Sequence, residues 1–137
     1  MPLPSTEQIL EDLDFFDDWE ERYKYLIDLG EEMPKMTPQM QTRERLVKGC
    51  QSNVWIDAQP VAGKLTFTVD SDAIIVRGLL ALVMAAYNNK SAAAIIDFDI
   101  QEYFSRLDLE QHISPTRGNG LRSIVAKIQQ IAKAANI

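Results

Sequence analysis

Lys64-Leu-Thr-Phe-Thr-Val-Asp-Ser-Asp-Ala-Ile-Ile-Val-Arg-Gly-Leu-Leu-Ala-Leu-Val-Met-Ala-Ala-Tyr87 changes its pattern partway along, and that change decides the fold. From Lys64 to Asp70 the residues alternate, with Leu65, Phe67 and Val69 on one side and Lys64, Thr66 and Thr68 on the other. This is the two-residue period of a half-buried strand. From Ala73 to Tyr87 the residues are almost all apolar, interrupted only by Arg77 and Gly78. The run is shorter than the ~20 apolar residues that span a bilayer, so it reads as a buried core helix. Ser71 or Asp72 is its expected cap, and Asp70-Ser-Asp72 as a whole reads most simply as a helix entry after a strand.

Working upstream, Asn53-Val-Trp-Ile-Asp57 is rich in strand formers and reads as the antiparallel partner of Lys64–Asp70, with Pro60 and Gly63 marking the connection. Leu46-Val47 is a candidate third strand, which makes Lys48-Gly-Cys-Gln-Ser52 a strand-to-strand loop. Before it, Met33-Pro-Lys-Met-Thr-Pro38 reads as an irregular connection. Ser5 to Phe16 predicts a short helix, with Ser5 and Gln8 as a capping box and Ile9, Leu10, Leu13 and Phe16 on one face. A second helix is expected from an Asp17 or Asp18 cap, burying Trp19, Tyr23, Leu26 and Ile27 and stopping at Gly30.

Downstream the chain is helical. Ser91 is expected to cap Ala92–Ile96, and Asp99 a helix holding Ile100, Tyr103, Phe104 and Leu107. Ser114-Pro115 is a strong helix start, with proline at the first helical position. Leu121, Ile124, Val125, Ile128 and Ile131 then repeat at helical spacing to the C-terminus. Two helices, a small antiparallel sheet and several further helices predict one α+β domain over residues 1–137.

Composition narrows the function. The chain has 137 residues, 46% hydrophobic and 25% charged, ordinary for a globular domain that buries ~68% of its unfolded surface. It carries 14 basic and 20 acidic side chains, a formal charge of −6, which argues against a nucleic-acid binder with its basic footprint. Residues 1–32 hold eleven acids against Arg22 and Lys24, a local charge near −9 beside a remainder near +3. That segment is either a solvated helical face or a docking surface for a basic partner. Met1-Pro-Leu-Pro-Ser-Thr-Glu7 has no basic or apolar region of the secretory kind. No membrane segment is expected, and the expected compartment is the cytoplasm, where a lone thiol stays reduced.

Cys50 and His112 are the only cysteine and histidine. An intramolecular disulfide is excluded, and a Cys/His metal site of three or four ligands lacks its ligands. A cysteine hydrolase needs a histidine base in reach, held by a third group. His112 lies beside Gln111, just before Ser114-Pro115, and reads as a surface or helix-end residue. A thioredoxin-like role fails for want of a resolving cysteine. A self-sufficient thiol or metal enzyme is therefore a remote reading.

Cys50 nonetheless has a persuasive setting. Gly49 before it permits a tight loop. Arg43, Arg45 and Lys48 lie just upstream, and nearby positive charge lowers a thiol's pKa. Leu46, Val47, Val54 and Ile56 flank the loop with apolar surface. The other reading is an inert small residue of the core. Arg117 breaks a rule, because a cation in the first turn opposes the helix dipole. Gly118 and Gly120 also cost helix propensity there. Arg117 is either an exposed residue of a frayed turn or a clamp for an anion or thiolate.

Gly49-Cys-Gln-Ser-Asn-Val-Trp-Ile56 resembles the signature of the SufE family of sulfur-acceptor proteins. The resemblance continues in Asp70-Ser-Asp-Ala-Ile-Ile-Val-Arg-Gly-Leu-Leu-Ala-Leu-Val83, in Ser114-Pro-Thr-Arg-Gly-Asn-Gly-Leu121, and more faintly in Trp19-Glu-Glu-Arg-Tyr23 and Leu29-Gly30. It spans nearly the whole chain in order, and Gln51-Ser52 looks more like SufE itself than the CsdE branch. The resemblance implies a fold like that of IscU-type scaffolds, without the extra cysteines of a cluster scaffold. It implies a persulfide-forming Cys50 that takes sulfur from a SufS-type cysteine desulfurase, stimulates that enzyme, and hands the sulfur to an iron–sulfur cluster scaffold. Gly49, Gln51, Asp72 and Arg117 are implied as supporting or partner-contact residues. No cofactor of its own is implied, since pyridoxal phosphate (PLP) belongs to the partner desulfurase. The competing expectation is an interaction or regulatory module that binds a desulfurase or scaffold without carrying sulfur.

Overall fold

The structure is a computed structural model that describes residues 3–109 and 111–135. The expected α+β architecture is present. Among the described residues there are six α-helices and one two-stranded sheet: α1 Thr6–Phe15, α2 Trp19–Glu32, β1 Val54–Val61, β2 Lys64–Ser71, α3 Ile74–Tyr87, α4 Ala92–Asp97, α5 Ile100–Leu107 and α6 Pro115–Ala134. The C-terminal helix, expected to run to the chain end, stops at Ala134, and residues 136–137 lie outside the described residues. So do residues 1–2, the start of the segment read for a leader. No helix among the described residues is long and apolar enough to cross a membrane.

Five of the expected caps form. The side chains of Ser5, Ser91, Asp99 and Ser114 accept from the backbone N–H three residues on, each satisfying a donor the helix cannot. Asp18 is the choice between the two candidates for α2. The capping box at Ser5 is only half made, because the Gln8 amide turns forward to Asp12 at 2.8 Å.

β1 and β2 pair antiparallel from Val54↔Ser71 to Val61↔Lys64. The turn is just Ala62-Gly63, with φ of +53° and +80°, the positive pair that suits strand twist in a two-residue hairpin. β1 is therefore longer than Asn53–Asp57, and Pro60 lies inside it. Pro60 faces Leu65, whose N–H and C=O bond Lys90 and Asn89 on the side away from β1. The pair is thus a non-hydrogen-bonded one, and the N–H that proline lacks would have pointed away from β2. The expected third strand shrinks to a single bridge, Leu46 to Trp55. Arg43–Arg45 coil into a 3₁₀ turn just before it, which leaves too few extended residues for a ladder.

α3 is the centre of the molecule, packing against α1, α2, α6 and β2. Its residues from Arg77 to Met84 are all buried, as a helix apolar on every side requires. Gly30 does not end α2, contrary to the sequence expectation. The helix continues to Glu32, and Gly30 is a crossing point. A Cβ on Gly30 would stand 2.7 Å from the Gly78 nitrogen, and one on Gly78 would stand 2.5 Å from the Leu26 carbonyl oxygen. Glycine at both positions lets the two backbones touch.

Arg77 and Asp70, both buried, form an ion pair at this junction. The Arg77 guanidinium also donates to the carbonyls of Gly30 at 2.7 Å and Met33 at 2.9 Å. Asp70 in turn accepts from the backbone N–H groups of Met36 and Ser71, each at 2.8 Å. The pair thus satisfies the end of α2 and the entry to the 33–38 connection, so every partner of the buried charges is a polar group. Neither Ser71 nor Asp72 caps α3. Its N-cap is Ala73, with no side-chain bond, because Asp72 is used elsewhere.

Candidate functional site

The loop carrying Cys50 is tied down at both ends. Upstream, the Val47 N–H donates to the Val54 carbonyl at 2.8 Å. Downstream, Asp72 Oδ1 accepts from the Asn53 N–H at 3.2 Å, and the Asp72 N–H donates to the Asn53 carbonyl at 3.3 Å. Asp72 is therefore a loop anchor rather than a helix cap. Between these ties, Gly49 sits at φ +91°, in the region that favours glycine.

Cys50 is half-buried and lies against the second turn of α6. Its thiol donates to the Gly120 carbonyl at 3.6 Å. A Cβ on Gly120 would come within 3.5 Å of Sγ, so the absent side chain gives the cysteine its seat. The sequence presented Gly120 only as a helix-propensity cost. A glycine inside a helix, near a candidate nucleophile in the fold, was the signal of close approach.

Beside the thiol is a cavity of about 360 Å³. Val54, Val76, Leu79, Leu121 and Ile124 supply its apolar lining, while Gln51 and Arg117 stand among its polar residues. The structure thus brings Cys50, Gln51 and Arg117 to one opening, with Gly49 in the turn before it and Asp72 holding the loop from the strand side. Val54 lines the recess as expected, whereas Ile56 is buried in the core. Val76 and Leu79 of α3 were not anticipated there, because a continuous apolar run does not mark which face meets a cavity. Arg117 is exposed in the first turn of α6, where its backbone N–H donates to the Ser114 hydroxyl at 3.2 Å.

The electrostatics differ from the sequence expectation. Burial pushes the Cys50 thiol up from its ordinary value, since desolvation penalises the thiolate. The three upstream cations do not offset this. Arg45 turns to Asp57 at 3.2 Å and to the Met40 carbonyl at 3.1 Å, while Arg43 and Lys48 are exposed. His112 stacks on Trp19 at 4.1 Å and faces Asp108 at 3.5 Å, and it does not line the cavity. Among the described residues, no group of three or more His, Cys, Asp or Glu is placed to hold a metal ion. The arrangement is a sheltered thiol at the edge of a space much larger than one added atom.

The family described as SufE, an Fe–S metabolism associated domain, matches residues 7–132. An uncharacterized SufE-like protein of Rhizobium etli is 43% identical over 135 residues, covering 96% of this chain and 91% of that protein. One of Rhizobium meliloti is 40% identical over 135 residues, covering 96% of both. The solution structure of a hypothetical protein from Thermus thermophilus superposes with a TM-score of 0.76 at 21% identity, covering 97% of this chain and 96% of the other, which supports the fold. With a family match over most of its length and relatives at this identity, the chain belongs to the SufE family, whose domain is associated with Fe–S metabolism.

Proposed function

We propose that Cys50 is a sulfur acceptor, taking the outer sulfur of a persulfide held by a SufS-type cysteine desulfurase and passing it to an iron–sulfur cluster scaffold. The observation that carries this reading is the chain's single thiol beside a recess of about 360 Å³ with one apolar wall and a polar opening. In the transfer, the Cys50 thiolate attacks the outer sulfur of the partner's persulfide. A new S–S bond forms on Cys50, the partner's S–S bond breaks, and the partner's cysteine leaves as thiolate. No net oxidation occurs. Attack at the inner sulfur would instead leave a protein–protein disulfide and release sulfide.

The raised thiol pKa fits a resting state that is deliberately unreactive. A persulfide is easily reduced, and Val54, Leu79 and Ile124 offer it an apolar wall to pack against. Arg117 and Gln51, at the opening, are suited to contact the partner. Clearing the desulfurase's own persulfide frees it for another turnover, which accounts for stimulation. PLP chemistry stays with the desulfurase, and the setting is the cytosol, where the thiol remains reduced.

The second reading is a module that stimulates a desulfurase or scaffold without carrying sulfur. The acid-rich helices α1 and α2, with Phe15 83% exposed beside Asp14 and Asp17, favour it as a docking face. Cys50→Ser separates the two. A carrier loses sulfur acceptance and stimulation together, while a module keeps stimulating.

A further inference from the structure

The cysteine loop makes a second close contact with α6, one turn beyond Gly120. A Cβ built on Gly49 would stand 2.5 Å from the Ser123 hydroxyl oxygen and 3.4 Å from its Cβ. Gly49 and Ser123 therefore touch through the smallest groups that fit. Gly120 and Ser123 are spaced to lie on one face of α6, and Gly49 and Cys50 both rest on that face. The Cys50 thiol bonds the same helix, at the Gly120 carbonyl.

We propose that Ser123 is a positioning residue for the acceptor thiol: its small side chain sets how closely the loop sits on α6, and hence how buried Cys50 is at rest. This rests on the acceptor reading above. A larger side chain at 123 pushes Gly49 outward, lengthens the thiol–Gly120 contact and returns Cys50 to solvent. Because burial is what raises the thiol's pKa, lifting the loop lowers it. Each unit of fall multiplies the thiolate fraction by about ten at neutral pH. The lower basicity costs part of that in nucleophilicity, leaving about a three- to fourfold faster reaction per unit.

The test is the pH profile of Cys50 alkylation by iodoacetamide in folded protein, with circular dichroism as the check on folding. Ser123→Val is predicted to alkylate faster at pH 7 with a midpoint shifted down; an unchanged midpoint overturns the proposal. A double-mutant cycle adds an independent arm. Gly49→Ala alone meets the Ser123 hydroxyl, whereas in a Ser123→Ala background its nearest neighbour is a Cβ at 3.4 Å. The strain of alanine at positive φ is common to both backgrounds and cancels. Gly49→Ala should therefore accelerate alkylation more in the wild-type background than in the Ser123→Ala one, and equal acceleration overturns the proposal. If Gly49→Ala does not fold, Ser123→Val decides alone. Alkylation needs no desulfurase, so a failure here leaves the acceptor reading standing, and that reading fails separately if Cys50 gains no sulfur.

Discussion

Replacing Arg77 with methionine removes the cation at the junction of α2, β2 and α3 while keeping much of the side chain's apolar stem. Three consequences follow from the contacts. Asp70 is left as a buried carboxylate facing no charge, the Met33 carbonyl loses its guanidinium donor, and the Gly30 carbonyl keeps only the Met33 N–H. The carboxylate keeps two backbone N–H donors, from Met36 and Ser71, which limits the loss. Breaking a buried pair from one side costs about 3–5 kcal/mol, a large fraction of the ~5–15 kcal/mol that stabilises a typical domain. For a chain of this length that corresponds to a fall in Tm of about 10–17 °C. Thermal and urea melts followed by circular dichroism measure it directly. Arg77→Met combined with Asp70→Asn should cost less than the sum of the two single variants, since the double variant buries no unpaired charge. A loss below ~1 kcal/mol for Arg77→Met, the scale of an exposed ion pair, would refute the reasoning. So would strict additivity in the cycle.

Other expectations follow from the same geometry. Gly78→Ala should destabilise by about 1–3 kcal/mol or more, because its Cβ meets the Leu26 carbonyl and neither backbone can yield alone; urea melts check it. Asp72→Ala should free the Asn53 end of the loop and speed Cys50 alkylation while changing Tm little, since Asp72 is exposed and its bond contributes about 1 kcal/mol. The wild-type alkylation midpoint should lie above that of a small thiol. The sign for stability follows. The unfolded thiol ionises first, so the contribution of Cys50 is present below the unfolded pKa and is lost as pH rises through the folded one. Cys50→Ser should flatten that alkaline limb in pH-dependent melts. Arg117→Ala should leave the alkylation profile unchanged, because burial alone shifts the thiol, yet should slow sulfur transfer from the partner.

The elements that depend on local signals were legible in the sequence. Ser5, Asp18, Ser91, Asp99 and Ser114 announce helix starts through chemistry that acts within three residues, and Lys64–Asp70 announces a strand through strict alternation. Most of the misreadings share a cause, which is that the deciding contact comes from elsewhere in the chain. Gly30 has the look of a helix stop until Gly78 is seen pressed against its backbone. Asp72 has the look of a cap until Asn53 takes its carboxylate. Pro60 has the look of a strand breaker until the register shows its nitrogen pointing away from β2. Arg45 has the look of a thiol activator until Asp57 claims it. At the site, Cys50 and Arg117 stood out because each breaks a local rule or follows a recognisable motif. Gly120, Ser123 and the α3 residues Val76 and Leu79 did not, because their role is to be close to something distant in sequence.

The most direct test of the central claim is intact-protein mass spectrometry of reduced protein after incubation with a SufS-type desulfurase and cysteine. The account predicts a gain of one sulfur atom on Cys50, reversed by a reductant and absent in Cys50→Ser. No gain of sulfur while the desulfurase is turning over would contradict it.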